Sequence, residues 1–204
     1  MIMAPPAGVD SLLIGLDEET GQDPVLDLAA QFGNPRPVEL ELGIGKGRFL
    51  LDAAVRHPGV NYIGVEQASK YLRLAHARAL RRGCANLRFV HGDAREFVEF
   101  FLAAASISAI HVYFPDPWPK KRHHKRRLLD EAFLVEAERI LIPGGRLWIA
   151  TDHDGYFEAI LEALDPFGSL LLPVEAVWDG ATTNYEDKFV DQGRPIHRRV
   201  LEKP

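Results

Sequence analysis

The chain has 204 residues, 47% of them apolar and 26% charged, with a net charge of −5 at neutral pH; this balance suits one full hydrophobic core and excludes a disordered or fibrous polymer. No stretch approaches the roughly 20 apolar residues that span a bilayer, and the single cysteine, Cys84, excludes an internal disulfide framework. The opening Met-Ile-Met-Ala-Pro-Pro lacks the basic start and apolar core of a secretory signal, so a cytoplasmic enzyme is expected.

In chain order, residues 1–36 give only a loose N-terminal segment, and one domain is expected over 37–204. Strands over Val38–Leu42, Asn61–Val65, Leu87–Val90, Ile107–Phe114 and Gly145–Thr151 alternate with helices over Arg48–Arg56, Ser69–Arg82, Ala94–Ala104, Arg127–Leu141 and Gly155–Leu164. Gly144-Gly145 reads as a helix stop before the fifth strand. Beyond them, a strand from Leu170 through Trp178 and another over Ile196–Leu201, separated by the Thr183–Gly193 loop, complete the sheet as a hairpin. Repeated βα alternation specifies an α/β fold with a mostly parallel sheet and helices on both faces; ligands of such sheets sit outside the carboxyl ends of the strands, near the topological switch point.

The candidate functional residues fall at those ends. The first strand runs through Glu41 into Gly43, Gly45 and Gly47, where glycines let backbone pass close beneath a ligand and the next helix offers free N–H groups. That pattern alone serves a dinucleotide, S-adenosylmethionine or a tight turn. Glu66 ends the second strand, placed to accept hydrogen bonds from ribose hydroxyls, and Asp93 follows the third, where it accepts from an adenine amino group, caps the next helix, or does both. A dinucleotide loop needs a glycine at position 48; Arg48 stands there, which favours S-adenosylmethionine.

The densest segment follows the fourth strand. His111-Val112-Tyr113-Phe114 leads into Pro115-Asp116-Pro117-Trp118-Pro119, a loop preshaped by three fixed φ angles, and then into the basic run Lys120–Arg127. Residues 120–127 hold six Lys/Arg and no acid; the rest of the chain has 18 cations against 29 anions. Charge concentrated in this way suits a phosphate backbone bound at one place, with modest, salt-dependent affinity. Trp118 is either a stacking surface for a base or an anchor for the loop. His111, His123-His124 and Asp152-His153-Asp154 lack the spacing of a closed metal site, so no metal is expected. Cys84 reads as an ordinary small residue.

The glycine loop, Val65-Glu66, Gly92-Asp93-Ala94, the string Phe114 to Arg127, Thr151-Asp152 and Thr183-Asn184-Tyr185-Glu186 together resemble the ordered motifs of the bacterial tRNA (guanine-N7)-methyltransferases over about residues 38–200. The resemblance implies a Rossmann-like class I S-adenosylmethionine-dependent methyltransferase with a seven-stranded, mostly parallel sheet and a C-terminal antiparallel hairpin. It implies that Glu41, Gly43, Gly45, Gly47, Glu66, Asp93 and Asp116 line the S-adenosylmethionine site, with Asp116 also at the catalytic centre. By the same carry-over Lys120, Asp152, Thr183, Asn184, Tyr185 and Glu186 contact the target nucleotide, and Arg122, His123, His124, Lys125, Arg126 and Arg127 meet the RNA. The partner is tRNA, with the target guanine in its variable loop, and the protein acts as a monomer or homodimer. Tyr185 and Asn184 depart from the Phe and the Lys or Glu common in the family, and no basic arm precedes Val38.

The chemistry follows from charge. Guanine N7 presents an unprotonated lone pair, so methylation needs positioning more than proton removal, and an anionic Asp116 is suited to the N1 and N2 donors of guanine or to the charge that develops on the ring. Two other readings stand beside this one. A small-molecule methyltransferase leaves the basic run without a reason, and a non-catalytic RNA-binding module leaves the cofactor residues idle.

Overall fold

The structure is a computed structural model, and it describes residues 12–14, 25–167, 171–176, 183, 186 and 192–204. Within them lie α1 (Leu28–Phe32), β1 (Val38–Leu42), α2 (Arg48–Arg56), β2 (Asn61–Glu66), α3 (Ser69–Arg82), β3 (Leu87–His91), α4 (Ala94–Phe101), β4 (Ile107–Tyr113), a 3-10 helix (Lys121–Arg126), α5 (Glu131–Ile140), β5 (Leu141–Thr151), α6 (Asp154–Leu164), β6 (Leu172–Pro173) and β7 (His197–Glu202). The seven strands form one sheet in the order β3-β2-β1-β4-β5-β7-β6. β1 pairs in parallel with both β2 and β4, so the strand order reverses there; β7 runs antiparallel to β5 and β6 and supplies the expected hairpin.

Alternation along the strands sets the two faces. Val38, Leu40, Leu42, Ile63, Val65, Ile110, Val112, Leu147 and Ile149 join one core with Phe97, Phe133, Leu134, Ile140, Tyr156 and Ile160 of α4, α5 and α6. On the other face Tyr62, Leu87 and Phe89 pack with Phe49, Leu50, Leu72 and Ala75 of α2 and α3. Leu40, Ile63 and Ile110 are fully buried, and each such side chain contributes about 1.5–3 kcal/mol by leaving water. Gly64 has a spatial role: a Cβ there would lie 2.4 Å from a Leu50 methyl and 2.9 Å from Ile44, so its absence lets α2 and the glycine loop settle on β2.

Several boundaries differ from the sequence expectation. The helix expected from Arg127 starts at Glu131, because Asp130 accepts from the Phe133 N–H at 3.0 Å and fixes the N-terminus there. The helix from Ala94 ends at Phe101, where Leu102 turns extended. Gly144-Gly145 stops no helix: α5 passes directly into an extended Leu141, and Gly144, at φ 76°, serves an irregularity between β4 and β5 while donating to the Lys203 carbonyl at 2.7 Å. The first strand of the expected C-terminal pair is short, Leu172–Pro173, and the ends of the expected range, Leu170 and Trp178, lie outside the described residues. Toward the N-terminus, Leu13 bridges to Phe89 beside β3, and Phe32 of α1 is buried in the core.

Candidate active site

β1, β2, β3 and β4 end along one rim of the sheet, and the loops that follow enclose a cleft of about 900 Å³ lined by Gly43, Gly45, Glu66, Asp93, Asp116 and Trp118 among others. The glycine loop is held from below and from the side. Gly43 and Ile44 both donate to the Val65 carbonyl, and Gly45, at φ 52°, donates to Glu66 Oε2 at 2.8 Å. Glu66 Oε1 accepts from Ala68 N–H at 2.7 Å. The carboxylate's roughly four acceptor sites are not all used by the loop, so Glu66 can brace it and still accept from a ligand hydroxyl. Burial holds the Glu66 carboxyl above its ordinary range, against three backbone N–H groups that lower it, and the charge of Asp116 adds to the rise. That coupling places Glu66 and Asp116 in one electrostatic environment.

Asp93 takes the capping role: Oδ1 accepts from Arg95 and Glu96 N–H at 2.9 and 3.2 Å at the start of α4, and the residue also lines the cleft. Glu41 and Gly47 sit differently. Glu41 lies beneath the loop, 4% exposed, and is not among the described residues lining the cleft. Burial is the main cause that drives its carboxyl well above the ordinary value; a hydrogen bond from the Leu50 backbone opposes this, and the charge of Glu66 adds to it. Leu50 is in the first turn of α2, whose N-cap, Gly47, has no side chain to offer, so Glu41 satisfies that helix end from a neighbouring strand. Its Oε2 has no partner among the described residues. Gly47, at φ 71°, permits close packing: a Cβ there would lie 2.8 Å from Ala75 Cβ.

Asp116 is exposed at the cleft mouth, between two residues in the left-handed region, Phe114 at φ 51° and Trp118 at φ 43°. Non-glycine residues held there cost on the order of 1–3 kcal/mol each and persist only where surroundings fix them. Phe114 N–H donates to the Ala150 carbonyl at 2.7 Å, and Arg127 Nε donates to the Pro117 carbonyl at 2.9 Å. Trp118 has Arg126 stacked over its ring at 4.9 Å and His123 edge-on at 5.8 Å. Lys120 and the 3-10 helix present exposed Lys121, Arg122, His124, Lys125 and Arg126, of which Lys125 and Arg126 line the cleft.

Arg127 departs from the expectation of an RNA-facing cation. It is 8% exposed, its guanidinium lies over the Tyr156 ring at 4.8 Å, and it faces the interior. Asp152 is paired with Arg194, and Glu186, which donates its N–H to Thr183 Oγ1 at 3.0 Å, is paired with Arg198 of β7. Asp152, Thr183 and Glu186 are not among the described lining residues; Asn184 and Tyr185 lie outside the described residues.

Three features escaped sequence reasoning. Gln67 and Tyr71 line the cleft, and their position just after Glu66 was the available signal. Arg95 donates to Asp130 and to the carbonyls of Arg127 and Leu128. His111 uses Nδ1 toward the Tyr113 hydroxyl at 2.8 Å and Nε2 toward Glu39 at 3.0 Å, beside a separate cavity of about 200 Å³. Among the described residues no group of three or more His, Cys, Asp or Glu side chains is placed to hold a metal ion.

Comparison with known proteins decides the family. Residues 35–199 match a family model described as "Putative methyltransferase". The tRNA (guanine-N(7)-)-methyltransferase of Geobacillus kaustophilus is 37% identical over 179 residues, 85% of this chain and 82% of that protein. That of Geobacillus thermodenitrificans is 38% identical over the same shares. The chain belongs to the tRNA (guanine-N(7)-)-methyltransferase family. Among solved structures, TrmN from Thermus thermophilus superposes with a TM-score of 0.59 at 25% identity, covering 83% of this chain and 45% of that one. For a tRNA (guanine-N(7)-)-methyltransferase the placement of the cationic helix is instructive: its charge lies on the cleft's own rim, next to Asp116, rather than on a remote surface.

Proposed function

We propose that the protein transfers the methyl group of S-adenosylmethionine to N7 of a variable-loop guanine in tRNA, with the donor in the cleft over β1 to β4 and Asp116 at the reacting centre. The observation that carries the reading is the composition of one cleft: Glu66, Asp93 and Asp116 on the side of the strand tips, and Trp118, Lys125 and Arg126 on the side of the basic helix. A small-molecule methyltransferase has no use for the second group.

The residues present fit S-adenosylmethionine. The volume falls within the roughly 300–1,000 Å³ usual for small-molecule sites, Glu66 retains acceptor capacity toward ribose, and Gly43 and Gly45 keep the loop free of side chains that would crowd the ligand. When bound, the sulfonium supplies an electrophilic methyl group. Guanine N7 carries a lone pair at neutral pH, so no side chain has to remove a proton first, and the chain's task is placement. Asp116, exposed and anionic, accepts from the N1 and N2 donors of guanine and offsets the charge that develops on the alkylated ring. A base presenting an acceptor at that edge leaves the carboxylate unpaired, which is the source of specificity. Lys120 and the 3-10 helix hold the neighbouring phosphates, while Asp152, Thr183, Asn184, Tyr185 and Glu186 complete the nucleotide site. Extruding a base that is engaged in tRNA tertiary structure costs a few kcal/mol, offset by these contacts. We assign the protein to the cytoplasm, as a monomer or homodimer; among the described residues no helix is long and apolar enough to cross a membrane.

Calorimetric titration of S-adenosylmethionine, paired with single-turnover methylation of an unmodified tRNA transcript, tests the assignment. Asp116→Asn is expected to lose turnover by about 100-fold or more while binding the donor nearly as the parent does. Equal losses in both assays confine Asp116 to donor binding.

A further inference from the structure

The cation that ends the basic run does not face outward, and its contacts join three parts of the site. Arg127 follows the 3-10 helix and closes it through its N–H to the His124 carbonyl at 2.9 Å. Its Nε donates to the carbonyl of Pro117, the residue after Asp116, at 2.9 Å. Its guanidinium lies over the ring of Tyr156, which is fully buried in the first turn of α6, shortly after Asp152. Tyr156 is pinned in turn, its hydroxyl accepting from Leu129 N–H at 3.1 Å. Arg95 clamps the other side, donating to the Arg127 carbonyl at 3.1 Å and to Asp130 Oδ1 at 3.0 Å.

The loop that carries Asp116 needs such a hold. It is bounded by Phe114 and Trp118, both at positive φ, a conformation that relaxes unless its surroundings oppose it. Phe114 is tied to β5 through the Ala150 carbonyl; the Pro117 side is tied through Arg127. We infer that Arg127 is a positioning residue for methyl transfer: it fixes Asp116 and the RNA-facing helix as one rigid unit, so that phosphate contact at Lys121 to Arg126 and base contact at Asp116 keep a set spacing. The inference rests on the proposal that Asp116 acts in the transfer. A planar fork is required for this work, since one edge must reach a carbonyl while the face covers an aromatic ring, and an ammonium does not do both.

Arg127→Lys is the discriminating variant because it keeps the charge and most of the volume. Turnover in the single-turnover assay is expected to fall by about 10- to 100-fold, the scale that follows a displacement of about 1 Å at a reacting group. The tRNA dissociation constant and the slope of its logarithm against log salt are expected to remain those of the parent. Arg127→Met should match or exceed the loss of turnover, again with an unchanged salt slope. Parental turnover in Arg127→Lys overturns the inference. So does a weakened salt slope in Arg127→Met, which identifies Arg127 as a phosphate contact. If Arg127→Met fails to fold, the Arg127→Lys result decides alone. Asp116→Asn, assayed alongside, separates the two claims: an inactive Asp116→Asn with a fully active Arg127→Lys removes only the positioning role. An active Asp116→Asn beside an impaired Arg127→Lys removes the role of Asp116.

Discussion

The third glycine of the loop offers a clean separation of packing from ligand contact. In Gly47→Ala the new methyl group meets two penalties. The backbone sits at φ 71°, where an L side chain costs about 1–2 kcal/mol, and the Cβ would lie 2.8 Å from Ala75 Cβ, an overpacking of a kind that costs about 1–3 kcal/mol. The single substitution is therefore expected to destabilise by about 2–5 kcal/mol in urea unfolding, a large share of the roughly 5–15 kcal/mol that holds a domain. Removing the opposing methyl with Ala75→Gly relieves only the second penalty, so in that background Gly47→Ala should cost about 1–2 kcal/mol, the difference being the coupling energy of the cycle. The folded fraction should bind S-adenosylmethionine within about threefold of the parent, less than 1 kcal/mol, because Gly47 is absent from the described lining of the cleft. An identical cost in both backgrounds refutes the packing explanation. A large loss of donor affinity at unchanged stability refutes the placement of Gly47 outside the donor site.

Other expectations concern charge. Glu41 is held above its ordinary value of 4.5 mainly by burial, so the folded state keeps that proton more tightly than the unfolded chain. Its contribution is most favourable below that value and is lost as pH rises through the raised one; Glu41→Gln should therefore gain stability relative to the parent between pH 5 and 8.5 in paired urea melts, and a constant difference contradicts this. Glu66→Gln, which keeps one acceptor for the two N–H groups of Gly45 and Ala68, should weaken S-adenosylmethionine binding by about 1.5–3 kcal/mol in calorimetry and leave tRNA affinity unaltered; the reverse pattern removes Glu66 from the donor site. Arg126→Ala should weaken tRNA binding and lower the salt slope by about one, with donor affinity retained, and an unchanged slope shows that this cation does not meet phosphate.

The strands and most helices are legible because apolar runs and helical periodicity mark each element locally, the central strands being buried on both faces. β1 and α2 lie where the pattern puts them, whereas the reversal of strand order around β1 is set by long-range pairing with β2 and β4, which alternation alone does not fix. Sequence alone misplaced the start of α5, since Arg127 and Leu128 are good helix formers and only the Asp130 cap excludes them. It also misread Arg127, because burial of a cation depends on partners far along the chain: Pro117 is ten positions away and Tyr156 is on another helix. Glu39 and His111 are 72 positions apart, and no local pattern foretells their contact. Glu66, Asp93 and Asp116 were recoverable because the ends of parallel strands converge by topology, whatever the intervening lengths.

The most direct measurement incubates the pure protein with S-adenosylmethionine labelled in its methyl group and an unmodified tRNA transcript, then locates the label by nuclease digestion and mass spectrometry. The account predicts one labelled nucleoside, guanosine methylated on its imidazole nitrogen, from the variable loop. Label on another base, or on any atom of guanine other than N7, contradicts it.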